Sequence, residues 1–116
     1  FGLLGVMEKS QTAIHTIVTG AAMSCGFMIL ITGHERFGYK HSTPLYHQVS
    51  TGFYGKIQDM EESLAETKRL QKKIEDITFE RTSISKKKLS EILKNKKDWY
   101  MTADEALALG VIDEIL

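Results

Sequence analysis

The sequence predicts an α/β fold with a mostly parallel sheet. Helices and strands alternate along the chain, the order that produces parallel pairing through crossover connections. The 116 residues, 42% hydrophobic and 26% charged with a single proline, amount to at most one globular domain. No internal repeat of fixed period divides it.

The elements follow in order. Residues Leu3 to Thr12 carry apolar groups at Leu3, Leu4, Val6 and Met7 before a polar close, which predicts a short amphipathic helix. The segment Ala13 to Thr19 is rich in β-branched residues and reads as a buried strand. Gly20 to Gly26 packs small residues around Ser24 and reads as a tight strand-to-helix turn. Phe27 to Ile31 is apolar all round, hence a buried helix, with Gly33 as its stop. Arg36 to Lys40 is expected to form a short strand, Leu45 to Val49 another, and Ser50 to Gly55 a loop.

The longest element is a helix over Lys56 to Phe79. Ile57, Met60 and Leu64, then Leu70, Ile74 and Ile77, recur at steps of three and four with a register slip between the two sets. Acidic residues lead it and basic residues follow, which complements the helix dipole. At about 1.5 Å per residue it is long enough to protrude and meet a partner. Ser85 is placed to cap a second helix through Lys94, with Leu89, Ile92 and Leu93 on its buried face. Thr102 and Glu105 form a capping box, Gly110 closes that helix, and Val111 to Leu116 reads as a terminal strand.

Composition excludes several classes of function. Fifteen basic residues balance fifteen acidic ones, so no net charge attracts nucleic acid. The basic cluster Lys86-Lys87-Lys88 with Lys94 to Lys97 lacks interleaved aromatics and reads as a solvated face. The apolar stretch Met23 to Thr32 covers about half of the roughly twenty residues a membrane helix needs. No basic region followed by a cleavage signal opens the chain, so no signal peptide is expected. The apolar opening Phe1-Gly2-Leu3-Leu4, without an initiator Met, reads as a start inside a longer chain. The single cysteine, Cys25, fits a reducing compartment, with the cytoplasm as default. Four histidines without a C-x-x-C or H-x-x-x-H spacing argue against a metal site.

Chemistry is concentrated at three places. Ala22-Met23-Ser24-Cys25-Gly26 is close to a G-x-S-x-G elbow, where a sharp turn exposes a serine hydroxyl beside backbone N–H groups. The donor that follows such a serine is the N–H of Cys25. Among His15, His34, His41 and His47, only His47 stands at the end of an apolar strand and ahead of a glycine-containing loop, where a side chain can face a cleft. Asp98, between a basic run and Trp99-Tyr100, is expected to be half-buried and aimed inward.

Gly20 to Gly26, Pro44-Leu45-Tyr46-His47-Gln48, Asp98-Trp99-Tyr100-Met101-Thr102-Ala103-Asp104-Glu105-Ala106 and Gly110-Val111-Ile112-Asp113 together resemble the ClpP proteolytic subunit family, over essentially the whole chain. The order Ser, His, Asp is one that family uses. The resemblance implies a ClpP/crotonase-like fold, N-terminally incomplete, as one domain over residues 1–116 with a protruding handle region at about 49–79. It implies a serine endopeptidase subunit of a self-compartmentalised ATP-dependent protease that cleaves unfolded polypeptides. Ser24 would be the nucleophile, His47 the general base and then acid, and Asp98 the group holding the imidazolium. The N–H of Cys25 would be one oxyanion donor, and Val49, Ser50 and Gly52 would lie beside extended substrate. Stacked homo-oligomeric rings, an ATPase unfoldase as partner, no cofactor, no nucleic acid and no membrane are implied as well. Val49 stands where the family usually has proline, and Met23 where it has a small residue. The family's N-terminal portion, with the glycine-rich loop that gives the second oxyanion donor, is absent from this sequence. Two other readings remain open: a related peptidase of the signal-peptide-peptidase type using serine and lysine, and a catalytically silent assembly protein.

Overall fold

The computed structural model describes residues 1–95 and 98–116. Lys96 and Lys97, the end of the expected basic face, lie outside the described residues. The elements are α1 (Gly2–Lys9), β1 (His15–Val18), β2 (Ala21–Met23), α2 (Cys25–Thr32), β3 (Glu35–Gly38), β4 (Thr43–Tyr46), α3 (Ile57–Arg81), α4 (Lys86–Lys94), β5 (Trp99–Tyr100), α5 (Ala103–Ala108) and β6 (Glu114–Ile115).

Among the described residues the strands form two three-stranded sheets. One has the order β1-β3-β6 and is parallel throughout; the other has the order β2-β4-β5, with β2 parallel and β5 antiparallel to the central β4. The expected parallel pairing is therefore present, and the expected single sheet is divided. The chain steps between sheets twice in concert, at Thr19-Gly20 and at Tyr39–Ser42. The N–H of Tyr39 on the carbonyl of Val18 (2.9 Å) and that of Thr43 on the carbonyl of Gly20 (2.7 Å) bind the two steps together.

Local chemistry explains the differences from the expected boundaries. Helix α1 stops at Lys9 because the Ser10 hydroxyl donates to the Thr12 carbonyl (2.7 Å) and accepts its N–H (3.2 Å), a turn that competes with another helical turn. Strand β1 is not buried as expected: Ile17 is 52% exposed and only Val18 is buried, because β1 is an edge strand and one of its faces is uncovered. Val111 and Ile112 belong to the core and precede β6 instead of forming part of it.

Helix α2 is buried as its composition requires, with Phe27, Leu30 and Ile31 at its centre and the Thr32 hydroxyl donating to the Met28 carbonyl (2.7 Å). Tyr46, Ile84, Leu89, Met101 and Ala106 complete the core around it. Ser85 caps α4 by accepting the Lys88 N–H (3.1 Å), and the Thr102–Glu105 capping box opens α5. Gly110 has φ 66°, and a Cβ there would meet the Ser83 hydroxyl at 3.1 Å, so this helix end needs glycine on both counts.

Helix α3 divides in two. Ile57, Met60 and Leu64 are 78%, 42% and 45% exposed, whereas Ile74, Ile77 and Phe79 pack on the core and Thr78 is fully buried. The register slip accounts for this. At about 100° per residue the two apolar stripes point about 100° apart around the helix, so a core under one leaves the other uncovered. The packed end is also tied down electrostatically. The Arg36 side chain on β3 donates to the Arg81 carbonyl and grips Asp113 through Nε (3.0 Å) and Nη2 (2.5 Å), while Arg81 pairs with Glu8 of α1 at 3.1 Å. Among the described residues no helix is long and apolar enough to cross a membrane.

Candidate active site

Ser24 is the single residue between β2 and α2. Strand β2 lies beside β4 in the register Ala21↔Thr43, Ala22↔Pro44, Met23↔Leu45, which carries Ser24 and the residues after Tyr46 to the same end of the sheet. The turn is sharp: Ser24 has φ 54° and ψ −117°, and among the described residues it is the one non-glycine with positive φ. A side chain in this region is strained and persists only where its surroundings fix it. Its hydroxyl does not cap α2, so the leading N–H groups of that helix, beginning with Cys25, have no side-chain partner there. A Cβ at Gly26, the second residue of α2, would touch only the Ala22 Cβ, at 3.9 Å.

Ser24, Cys25, His47, Val49 and Ser50 line one cleft of about 470 Å3, whose apolar wall comes from α1, α2 and the packed half of α3, Leu70 and Ile74 included. Two independent expectations thus meet, since the serine of the strained turn and the one histidine selected at a strand end share a cavity. The Cys25 thiol is exposed in the same cleft. Gly52 is exposed in the following loop and does not line the cleft, which Val49 and Ser50 do. No lysine is among the described lining residues. His15, His34 and His41 are all exposed away from it.

His47 is half-buried, and its Nδ1 lies 2.6 Å from the carbonyl oxygen of Gln48. A carbonyl only accepts, so Nδ1 carries the proton, and in the neutral imidazole the lone pair is then on Nε2. Asp98 is exposed where it was expected to be half-buried, because β5 is only two residues long and begins after it. Its backbone position is nevertheless informative. In the antiparallel β4–β5 pair Leu45 faces Tyr100 and Tyr46 faces Trp99, so the next step of the same register sets Asp98 opposite His47. Among the described residues the Asp98 carboxylate makes no hydrogen bond or ion pair, and Nδ1 is held by the Gln48 carbonyl.

The sequence gives no notice of the group behind this loop. Gln71 on α3 accepts the Val49 N–H through Oε1 (2.9 Å) and donates from Nε2 to the Tyr46 hydroxyl (3.2 Å) and to Glu75 Oε1 (2.8 Å). Tyr46 is buried edge-on against Phe27. Burial pushes its phenol up to about 12, Glu75 adds to the shift, and the Gln71 hydrogen bond opposes it, so the hydroxyl stays neutral.

The family model described as Clp protease matches residues 2–116. The chain is 36% identical over 118 residues to the ATP-dependent Clp protease proteolytic subunit 2 of Bacillus licheniformis, covering 100% of this chain and 61% of that protein. It is 34% identical over 119 residues to the ATP-dependent Clp protease proteolytic subunit of Porphyromonas gingivalis, covering 100% of this chain and 52% of that protein. The corresponding subunit of Deinococcus radiodurans is 31% identical over 112 residues, covering 95% of this chain and 54% of that protein. The chain thus spans between 52% and 61% of the length of these relatives.

Proposed function

The chain belongs to the Clp protease family, and we propose that it carries the nucleophile and base of a serine endopeptidase that hydrolyses unfolded polypeptides. The observation that supports this most directly is that Ser24, at a strained strand-to-helix turn, and His47, with its lone pair on Nε2, line a single cleft. In this reading Nε2 takes the Ser24 hydroxyl proton as Oγ attacks the scissile carbonyl, then delivers it to the leaving amine; water repeats the sequence on the acyl-enzyme. The Cys25 N–H stabilises the oxyanion as one of the exposed donors of α2. Asp98, across the β4–β5 register from His47, supplies the carboxylate that stabilises the imidazolium. Val49 and Ser50 run beside the extended substrate, followed by Gly52. The exposed half of α3 is the handle by which copies of the chain assemble into stacked rings, served in a reducing compartment such as the cytoplasm by an ATPase that unfolds the substrate.

A fluorophosphonate probe tests the reading on the protein as its host makes it. One adduct is expected, mapping to Ser24 and absent in Ser24→Ala. Absence of any adduct from correctly assembled protein would refute the peptidase reading in favour of a silent assembly protein, a role the exposed half of α3 would equally serve.

A further inference from the structure

Residues 48–55 include Val49 and Ser50, the two cleft residues proposed to run beside substrate. Among the described residues a single hydrogen bond joins this whole stretch to another element of the fold: the Val49 N–H donates to Gln71 Oε1 on α3 (2.9 Å). We infer that Gln71 is a positioning residue for substrate, holding the Val49–Ser50 side of the cleft against α3; the inference rests on Val49 and Ser50 lying beside substrate as proposed above.

The partners of Gln71 decide which way its amide faces. Val49 N–H only donates, so it takes the amide oxygen; the Glu75 carboxylate only accepts, so it takes the amide nitrogen (2.8 Å). The second amide proton goes to the hydroxyl of Tyr46 (3.2 Å), a side chain buried edge-on against Phe27. The acceptor that meets Val49 is therefore held in place by the helix on one side and the core on the other. It also requires an N–H at position 49, which valine has and proline would lack. Leu70 and Ile74 of the same helix belong to the apolar wall of the cleft, so the bond keeps the Val49–Ser50 segment in a fixed relation to that wall. A segment ordered before substrate arrives costs less entropy when substrate aligns along it, which strengthens binding. The reacting groups do not depend on this bond: Ser24 and the Cys25 N–H stand at the junction of β2 and α2, and His47 follows β4 directly. The effect of Gln71 thus falls on substrate affinity and leaves the chemical step alone.

The test compares wild type, Gln71→Leu and the exchanged pair Gln71→Glu/Glu75→Gln in the protein as its host makes it. Leucine is close to glutamine in length and lacks the acceptor; the exchanged pair restores an acceptor at position 71 and a donor at position 75. Three quantities are read: amide exchange at Val49, kcat and KM for an extended quenched-fluorescence peptide, and the rate of fluorophosphonate labelling at Ser24, a small probe that does not reach along the segment. Gln71→Leu is expected to speed Val49 exchange and to raise KM roughly 3- to 10-fold, as the loss of one hydrogen bond would, with kcat and the labelling rate within about twofold of wild type. The exchanged pair is expected to recover both exchange and KM. Unchanged exchange or unchanged KM in Gln71→Leu would overturn the inference, as would an exchanged pair that recovers neither. A fall in kcat and labelling rate that matches the rise in KM, or a Gln71→Leu chain that no longer folds, would mark Gln71 as structural and overturn it too; all of these leave the peptidase reading in place. Wild-type protein that neither cleaves the peptide nor labels at Ser24 would instead overturn the peptidase reading, and the role assigned to Gln71 with it.

Discussion

The two halves of α3 carry the same kind of apolar stripe and meet opposite fates. Ile57, Met60 and Leu64 step by three and four and Leu70, Ile74 and Ile77 by four and three, yet the first set stands in solvent while Ile74 and Ile77 pack on the core. An apolar period reports that a face needs a cover and is silent about which molecule provides it. The slip between Leu64 and Leu70 is the informative part, because it turns the stripe about a third of the way round the axis and so directs one helix at two surfaces. This chain's own core covers the packed half; among the described residues nothing covers the other half.

The largest expected effect lies in the packed half. Ile77→Ala should cost about 1–3 kcal/mol of unfolding free energy, less than a fully buried truncation because Ile77 is only partly covered. Met60→Ala, at 42% exposure, should stay within about 0.5 kcal/mol. Urea titration of both variants checks the contrast, and equal losses would break it.

A smaller effect separates the two halves by pH. The Arg36 guanidinium beside Asp113 holds that carboxyl below the usual aspartate range, through its hydrogen bonds first and its charge after them. A lowered folded-state pKa stabilises the fold above the unfolded pKa, and the contribution is lost as pH falls through the folded value. With Asp113 42% exposed, solvent screening keeps it to about 1 kcal/mol at most. Glu66, in the exposed region, is also lowered, by the Arg69 hydrogen bond, but both partners are in solvent. Acid titration of stability should therefore flatten in Asp113→Asn and keep its slope in Glu66→Gln; the reverse result would place the acid-sensitive contact on the wrong half.

The smallest effect on the chain itself is expected from Leu64→Asp, within about 0.5 kcal/mol. Its consequence belongs to assembly, where sedimentation velocity should show fewer subunits associating. A Leu64→Asp protein that assembles like wild type would remove the exposed half from the interface.

What the sequence made legible was local. Ser85, the Thr102–Glu105 box and Gly110 are each recognisable from neighbours within four residues, and the structure places each as expected. The division into two sheets was not legible, because it depends on Val18 meeting Tyr39 and Gly20 meeting Thr43 across the chain. Strands β2 and β5 have three and two residues, too few for alternation to declare itself. Within the candidate site, Ser24 and His47 could be read from a small-residue turn and a strand end. Asp98 was expected to be half-buried, and only the register of a two-residue strand relates it to His47. Gln71 is one polar residue among many on a long helix, and nothing adjacent to it marks the three hydrogen bonds it makes.

The bond between Arg36 and Asp113 spans 77 positions of the chain. At about 5–20 residues per second, a ribosome adds the second partner roughly 4–15 s after the first. Over that interval β3 already has β1 on one side and no β6 on the other, so its outer edge is an open template for any strand that drifts by. The sheet thus closes only when its last strand has been made, and slower translation between β3 and β6 should raise the share of chains that misassembles.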